Sequence, residues 1–234
     1  MGCKHSARGV EAPGHEGSGN GFGTAGRPRL ASKAEFNSER TGMDQDIPMR
    51  IAVFSDTHGN RRDMREAVLS FLPLDLIIHL GDGVRDGIRV ALEATIPFHG
   101  VRGNEDYGTD LPDVALVEAE NWQFLLAHGH QMNINPYHPK EVWKQDLRDM
   151  AAWAKGKRAE ALLFGHAHTP VLQRENGIVL CNPGDQYIGS AAGPSFAFIE
   201  AEAAAIRFRI FRKSPNGDWG LLAELGQERT GMDA

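Results

Sequence analysis

The chain has 234 residues, 41% of them hydrophobic and 24% charged, with a formal net charge of -6. These are ordinary values for a folded domain with one substantial core, and they exclude a wholly disordered or fibrous chain. The negative balance argues against stable nucleic-acid binding, which needs a face rich in Lys and Arg. Cys3 and Cys181 lie too far apart in sequence to suggest a disulfide framework. Cys181, inside the apolar "IVLCNPG", reads as a small buried hydrophobe, which implies a reducing, cytoplasmic setting. No stretch approaches the roughly 20 apolar residues that span a membrane, and the opening residues lack the apolar region of a secretory signal.

Residues 1–47, with "GVEAPGHEGSGNGFGTAGRPR", predict a disordered extension, or sequence upstream of a start at Met43 or Met49. "MGCKHS" fits the N-myristoylation pattern formally, but so short a motif recurs by chance. "ERTGMD" stands at both 39–44 and 228–233, a repeat without a physical account. From Met49 the pattern alternates. "RIAVFSD" (50–56) predicts a strand, "RRDMREAVLSFL" (61–72) a helix with Met64, Val68 and Leu72 on one face, and "DLIIHLGD" (75–82) a second strand. "GIRVALEA" (87–94) predicts a helix and "IPFHGVRGN" (96–104) a third strand with its loop. This βαβαβ rhythm implies a parallel, buried sheet.

"VALVEAENWQFLLAHGH" (114–130) predicts two strands around a tight turn. "PKEVWKQDLRDMAAWAKGK" (139–157) predicts a helix whose Trp143, Leu147, Met150 and Ala154 form a core-facing stripe. "LLFGHAHTP" (162–170) opens as a buried strand that stops at Gly165. "VLQRENGIVLCNPG" (171–184) predicts a hairpin whose Asn176-Gly177 suits a type I′ turn. "SFAFIEAE" and "AIRFRIFR" supply a last strand pair, and residues 213–234 read as a weakly patterned tail. Residues 48–212 thus predict one domain, a parallel half followed by a more antiparallel half, in two sheets packed face to face with outer helices.

Five strand ends carry polar groups: Asp56-Thr57-His58, Gly81-Asp82-Gly83, Gly103-Asn104-Glu105-Asp106, His128-Gly129-His130 and Gly165-His166-Ala167-His168. In open α/β sheets such ends form the ligand crevice. Side chains two apart near a strand end point to one side, so His166 and His168 should aim at one point. Taken singly, Asp56, Thr57 and Asp82 read as helix caps, Asn104 as a turn residue and His128 as a core histidine. Taken together, they read as a metal-capable set. Imidazoles mixed with oxygen donors suit Mn, Fe, Co, Ni or Zn, and the scarcity of cysteine argues against a structural zinc. The set Asp56, His58, Asp82, Asn104, His128, His166 and His168 exceeds the needs of one ion. It suits two ions about 3.5–4 Å apart that clamp a phosphoryl group and activate a water between them.

In this order "SDTHGN", "LGDG", "RGNED", "AHGHQ" and "FGHAHTP" resemble the calcineurin-like metallophosphoesterases over residues 49–212, and within them the small bacterial and archaeal phosphodiesterase branch. The resemblance implies an α/β fold, a four-layer α/β/β/α sandwich, with two divalent metal ions, manganese foremost. By position, Asp56, His58 and His168 would hold the first ion, Asn104, His128 and His166 the second, and Asp82 would bridge them. It implies hydrolysis of a small phosphate ester, a phosphodiester in preference, with Asn104 orienting the phosphate. There are departures. Glu105 stands where many phosphomonoesterases carry a histidine acting as general acid, and where this branch carries a cysteine. A carboxylate beside an anionic phosphate is a poor proton donor unless its pKa is raised, which favours substrates with good leaving groups. Asp185, in "NPGD" where serine is usual, adds negative charge near the crevice and argues against substrate contact there. His130 reads either as a phosphate-contacting or proton-relay group or as a structural one. His79 and His99 are expected in the core, and His5, His15 and His138 in solvent. A non-catalytic protein-binding scaffold of the same fold, as in a retromer subunit, is the rival reading. A phosphoprotein phosphatase is weakened by the absent histidine, and a homo-oligomer is left open.

Overall fold

The computed structural model describes residues 47–188, 190 and 192–229. The extension, "MGCKHS", Cys3, His5, His15, the first "ERTGMD" and most of the second lie outside the described residues. The elements run β1 (Met49–Phe54), α1 (Arg61–Ser70), β2 (Leu76–His79), α2 (Val84–Ala94), β3 (Phe98–Gly100), β4 (Val114–Ala119), β5 (Trp122–Ala127), α3 (Lys140–Gly156), β6 (Ala161–Phe164), β7 (Val171–Glu175), β8 (Ile178–Asn182), β9 (Ser195–Ala201), β10 (Ala205–Lys213) and β11 (Trp219–Glu228).

Two sheets form. The first has the order β11-β10-β9-β1-β2-β3 and the second β4-β5-β6-β8-β7. As the βαβαβ rhythm predicts, β1, β2 and β3 run parallel, and they are apolar on both faces because both are covered. The second half is the more antiparallel one, as expected, with β4–β5, β7–β8, β9–β10 and β10–β11 pairing antiparallel, but the second sheet has a parallel centre. β5, β6 and β8 pair in parallel, with antiparallel β4 and β7 at the edges. The two hairpins are visible in sequence because turn chemistry is local; the parallel centre between them is a long-range product of the α3 crossover. Asn176 and Gly177, at φ 51° and 84°, make the two-residue turn between Glu175 and Ile178. The tail also departs from expectation. β11 pairs with β10 from Lys213↔Trp219 to Ala205↔Glu228, so the first sheet runs on past residue 213. Its pattern is weak because it is an edge strand: Ala223 and Leu225 lean on the core while Leu221 and Leu222 stay exposed.

Three apolar clusters separate four layers. Between the sheets, Ile51, Val53 and Ile78 meet Phe124, Leu126 and Leu163. On the outer face of the first sheet, Met64, Ala67 and Val68 of α1 and Val90 of α2 cover Ala52, Phe54 and Ile77. On the outer face of the second, Leu147, Met150, Ala151 and Ala154 of α3 cover Leu125, Leu162 and Phe164. Both helical stripes recur at three- and four-residue spacing, one face of an α-helix. The result is the α/β/β/α sandwich. Among the described residues, no helix is long and apolar enough to cross a membrane.

The histidines outside the strand-end motifs divide. His79 is fully buried and burial pushes its imidazole down to about 4, so it stays neutral beside Thr57 Oγ1 at 3.3 Å. His99 is half-buried, and burial lowers its pKa too. His138 corrects the solvent assignment: it is half-buried, its Nδ1 2.9 Å from the Asp146 carboxylate. The loop before α3 folds back on the helix, which spacing alone does not reveal.

Phe124 is fully buried between the sheets, its ring 6.2 Å from that of Phe208. Phe124→Ala should cost about 3–5 kcal/mol in urea unfolding followed by circular dichroism. Burial also pushes the Cys181 thiol up to about 12. With so little thiolate at pH 8, Cys181 should stay unlabelled by iodoacetamide in the folded protein and be labelled on unfolding, as read by peptide mass spectrometry.

Candidate metal centre

Main-chain bonds tie neighbouring strand ends together within each sheet. Asp56 N–H donates to Gly81 O at 2.9 Å, His58 N–H to Asp82 O at 3.3 Å and Gly165 N–H to His128 O at 2.8 Å. Across the sheets, His166 N–H donates to Asp56 Oδ2 at 3.0 Å. These bonds gather the predicted residues into two triads, Asp56–His58–His168 and Asp82–His128–His166, each with its ligand atoms within 4.8 Å of one another. The triads adjoin. His128 Nε2 lies 3.2 Å from Asp82 Oδ2 and 3.9 Å from Asp56 Oδ1, and Asp82 forms a third such group with His58 and Glu105. Asn104 is exposed on the loop after β3, between Gly103 and Glu105, whose N–H groups are tied to Asp106 and Asp82. His130 sits in a 3₁₀ turn (His130–Met132), its ring centroid 5.4 Å from that of His128 and 6.2 Å from that of His166.

The strand-alternation argument for His166 and His168 does not hold. β6 ends at Phe164, and the two histidines belong to different triads. They stand instead at φ 65° and 52°, in the left-handed region, as do Asp56 (52°), His58 (44°) and Asp82 (53°). Non-glycine residues enter that region at a cost, and such positions concentrate at functional sites. Close approach of backbone adds a second constraint. A Cβ at Gly103 would collide with the Asp82 carboxylate, and one at Gly165 with Ser55 Oγ and Asp56 Oδ2.

The helix-cap readings also change. Asn60 caps α1 by accepting from Asp63 N–H at 3.3 Å, leaving Asp56 and Thr57 free of that task. The N-terminus of α2 is served not by Asp82 but by Asp106. Asp106 Oδ2 accepts from Asp82 N–H at 2.7 Å and Gly103 N–H at 2.9 Å, and Oδ1 from Gly83 N–H at 2.9 Å and Val84 N–H at 3.1 Å. Sequence reading placed this residue among the strand-end polar groups but gave it no role, its signal being only its place two positions after Asn104. Asp185 is placed too: it is buried, and its Oδ2 lies 2.9 Å from His168 Nδ1, so its charge faces an imidazole. Asn182 ties the same turn down, donating to Gly165 O at 2.8 Å and accepting from Gly184 N–H at 2.9 Å.

Charges here compensate one another. Burial pushes the Asp56 carboxyl up, but contact with His168 and the charge of His128 outweigh it and hold it below its ordinary value. Asp82 responds likewise and falls to about 2, mainly through His128. Burial depresses His128, yet Asp82 and Asp56 raise it above its ordinary value. The Asp185 and Asp56 carboxylates lift His168 to about 10. His166 and His130 go the other way, lowered by burial and by the charge of His128. The donor set fits divalent cations. His58 Nε2 is buried without a hydrogen-bond partner among the described residues, and such an atom is costly unless something positive or polar meets it. Asp56 Oδ1 and His128 Nε2, equally buried, are met by His168 Nε2 at 3.3 Å and Asp82 Oδ2 at 3.2 Å.

Asp106 accepts four main-chain N–H groups that position Asp82 and the Gly103–Asn104 turn. Asp106→Ala should therefore lose about 2–3 kcal/mol in urea unfolding, with Asp106→Asn losing less because Oδ1 is kept.

Residues 49–204 match the Calcineurin-like phosphoesterase superfamily domain. A probable metallophosphoesterase of Methanothermobacter thermautotrophicus is 31% identical over 170 residues, covering 70% of this chain and 92% of the relative. A phosphodiesterase of Methanocaldococcus jannaschii is 24% identical over 160 residues, covering 58% of this chain and 84% of that protein. Among solved structures, Vps29 of Entamoeba histolytica in complex with zinc superposes with a TM-score of 0.60 at 19% identity, covering 76% of this chain and 99% of that one, a likeness of fold. With the family's domain matched over more than half its length, this chain belongs to the calcineurin-like phosphoesterase superfamily.

Proposed function

We propose that this protein is a dinuclear-metal phosphoesterase that hydrolyses small phosphodiesters. One observation carries the reading. Two donor triads meet at Asp82, and one of their ligand atoms, His58 Nε2, is buried with no hydrogen-bond partner among the described residues, while Asp56 Oδ1 and His128 Nε2 lie buried within 3.2–3.9 Å of other members of the set. Asp56, His58 and His168 would hold one ion, His128, His166 and Asn104 the other, and Asp82 would serve both. Divalent ions held there, manganese foremost and iron, nickel, cobalt or zinc otherwise, would polarise phosphoryl oxygens and lower the pKa of a bound water. The chain's own residues supply placement. The Asn104 carboxamide orients the phosphate from the exposed loop. His130, its Nδ1 buried and without a partner among the described residues, stands beside His128 to contact a phosphoryl oxygen.

The preference for diesters rests on Glu105. Its carboxylate lies 3.2 Å from His58 Nδ1, so it is engaged there rather than poised to protonate a leaving group. Without a strong acid at that position, the departing alcohol must be a good leaving group. The similarity to an archaeal phosphodiesterase supports the same choice. A cytoplasmic setting is supported by Cys181, a free thiol buried in the core.

Dialysis against EDTA should abolish hydrolysis of bis(4-nitrophenyl) phosphate, and Mn²⁺ should restore it. Asp82→Asn should lower kcat by about 10³-fold, several kcal/mol of lost charge stabilisation, while the domain stays folded by circular dichroism. The diester should exceed 4-nitrophenyl phosphate in kcat/KM by about tenfold or more. A monoester preference would remove the diester assignment, and Mn²⁺-loaded protein inert toward both would favour the scaffold reading.

A further inference from the structure

The two triads have unlike surroundings. In the first, each imidazole has a carboxylate behind it. His168 Nδ1 lies 2.9 Å from Asp185 Oδ2 while its Nε2 lies 3.3 Å from Asp56 Oδ1. His58 repeats the arrangement: Nδ1 lies 3.2 Å from Glu105 Oε2, and Nε2 is buried without a partner among the described residues. The two rings stack with centroids 5.2 Å apart. In the second triad, His128 Nδ1 lies 2.7 Å from the main-chain carbonyl of Leu80, a neutral partner. His166 has imidazole neighbours instead, with ring centroids at 5.0 Å from His128 and 6.2 Å from His130.

A carboxylate on the far nitrogen of an imidazole fixes its tautomer, orients the ring and makes the near nitrogen a stronger ligand. It also adds a negative charge close to any cation at that nitrogen. A carbonyl does the orienting without the charge. From this asymmetry we propose that the two metal sites are unequal. The Asp56–His58–His168 site holds its divalent cation more tightly and fills first, with Asp185 and Glu105 as positioning residues, and the Asp82–His128–His166 site fills second. This rests on the dinuclear reading above.

The two positioning residues differ in strength. Asp185 is buried, 4% exposed, and its own backbone carbonyl accepts from Ser195 N–H at 2.8 Å, so its carboxylate is held in place. The Glu105 side chain is 60% exposed and better solvated. Asp185 should therefore contribute more than Glu105.

Calorimetric titration of metal-free full-length protein with Mn²⁺ alone tests this. The expected isotherm has two classes of one ion each. Asp185→Asn should weaken the tight class by about 10- to 100-fold and leave the weaker class in place. Glu105→Gln should weaken the same class by less, and His166→Ala should remove the weaker class and spare the tight one. Thermal unfolding of each metal-free variant reports whether it folds; should Asp185→Asn fail to fold, the Glu105→Gln and His166→Ala pair still assigns the classes. Two ions bound with equal affinity, or a tight class untouched by both Glu105→Gln and Asp185→Asn, would overturn the inequality and leave the dinuclear reading standing. A total of one ion per chain would overturn the dinuclear reading, and the inequality with it.

Discussion

The candidate metal centre depends on a single backbone constraint: the chain must turn sharply after β1, β2 and β6 without losing the strand's anchorage. Five donor residues, Asp56, His58, Asp82, His166 and His168, meet it by adopting positive φ. A left-handed residue swings its side chain back over the strand end. Its amide is then free to bond across the crevice, as His166 N–H does to the Asp56 carboxylate. Each such position costs about 1–3 kcal/mol and persists only where surrounding structure over-determines it. Here the over-determination is visible. β1, β2, β5 and β6 are buried between the inter-sheet cluster and the helical layers, and main-chain bonds such as Asp56 N–H to Gly81 O pin each turn to the next strand.

The aspartates near the centre share imidazoles, His128 between Asp56 and Asp82 and His168 between Asp56 and Asp185, and differ in their other donors. Asp82 faces His128 and accepts from Glu105 N–H at 2.8 Å. Asp106 never reaches an imidazole; main-chain amides saturate it, and they include those of Asp82 and Gly103, so it acts through residues that do reach the crevice. Asp185 holds His168. So dense a set of carboxylates is tolerable because donors or imidazoles meet each of them, the condition for burying charge at all. The spacing of amides and imidazoles sets the spacing of the acids.

Much of this was legible in the sequence, for physical reasons. Apolar runs that end in Gly beside Asp, Asn or His mark both the strands and the donors, because strand burial and strand-end function are written in adjacent residues. Two face-to-face sheets with outer helices followed from the element order and helical stripes such as Leu147, Met150 and Ala154, and the four-layer sandwich from the family resemblance. What was not legible acts over long separations. Asp106 serves amides 22 to 24 residues upstream, and Asp185 meets a histidine 17 residues earlier in the chain. Neither leaves a local pattern. The alternation argument for His166 and His168 failed because a strand's period of two ends with its ladder, and the turn beyond obeys its own hydrogen bonds. β11 escaped notice because an edge strand with exposed Leu221 and Leu222 carries no clean inside–outside code.

Glu105 joins geometry to chemistry. A carboxylate that turns toward His58 Nδ1 cannot at the same time offer a proton to a leaving alcohol. The residue that could have assisted bond cleavage is thus committed to holding a ligand. In the proposed reaction the burden then falls on the substrate, whose leaving group must depart with little protonation. His130 does not remove that burden, since burial and the charge of His128 lower its pKa, so it carries a proton to donate less often than a free imidazole does. If the proposal holds, such a site would discriminate among esters by the acidity of the alcohol they release.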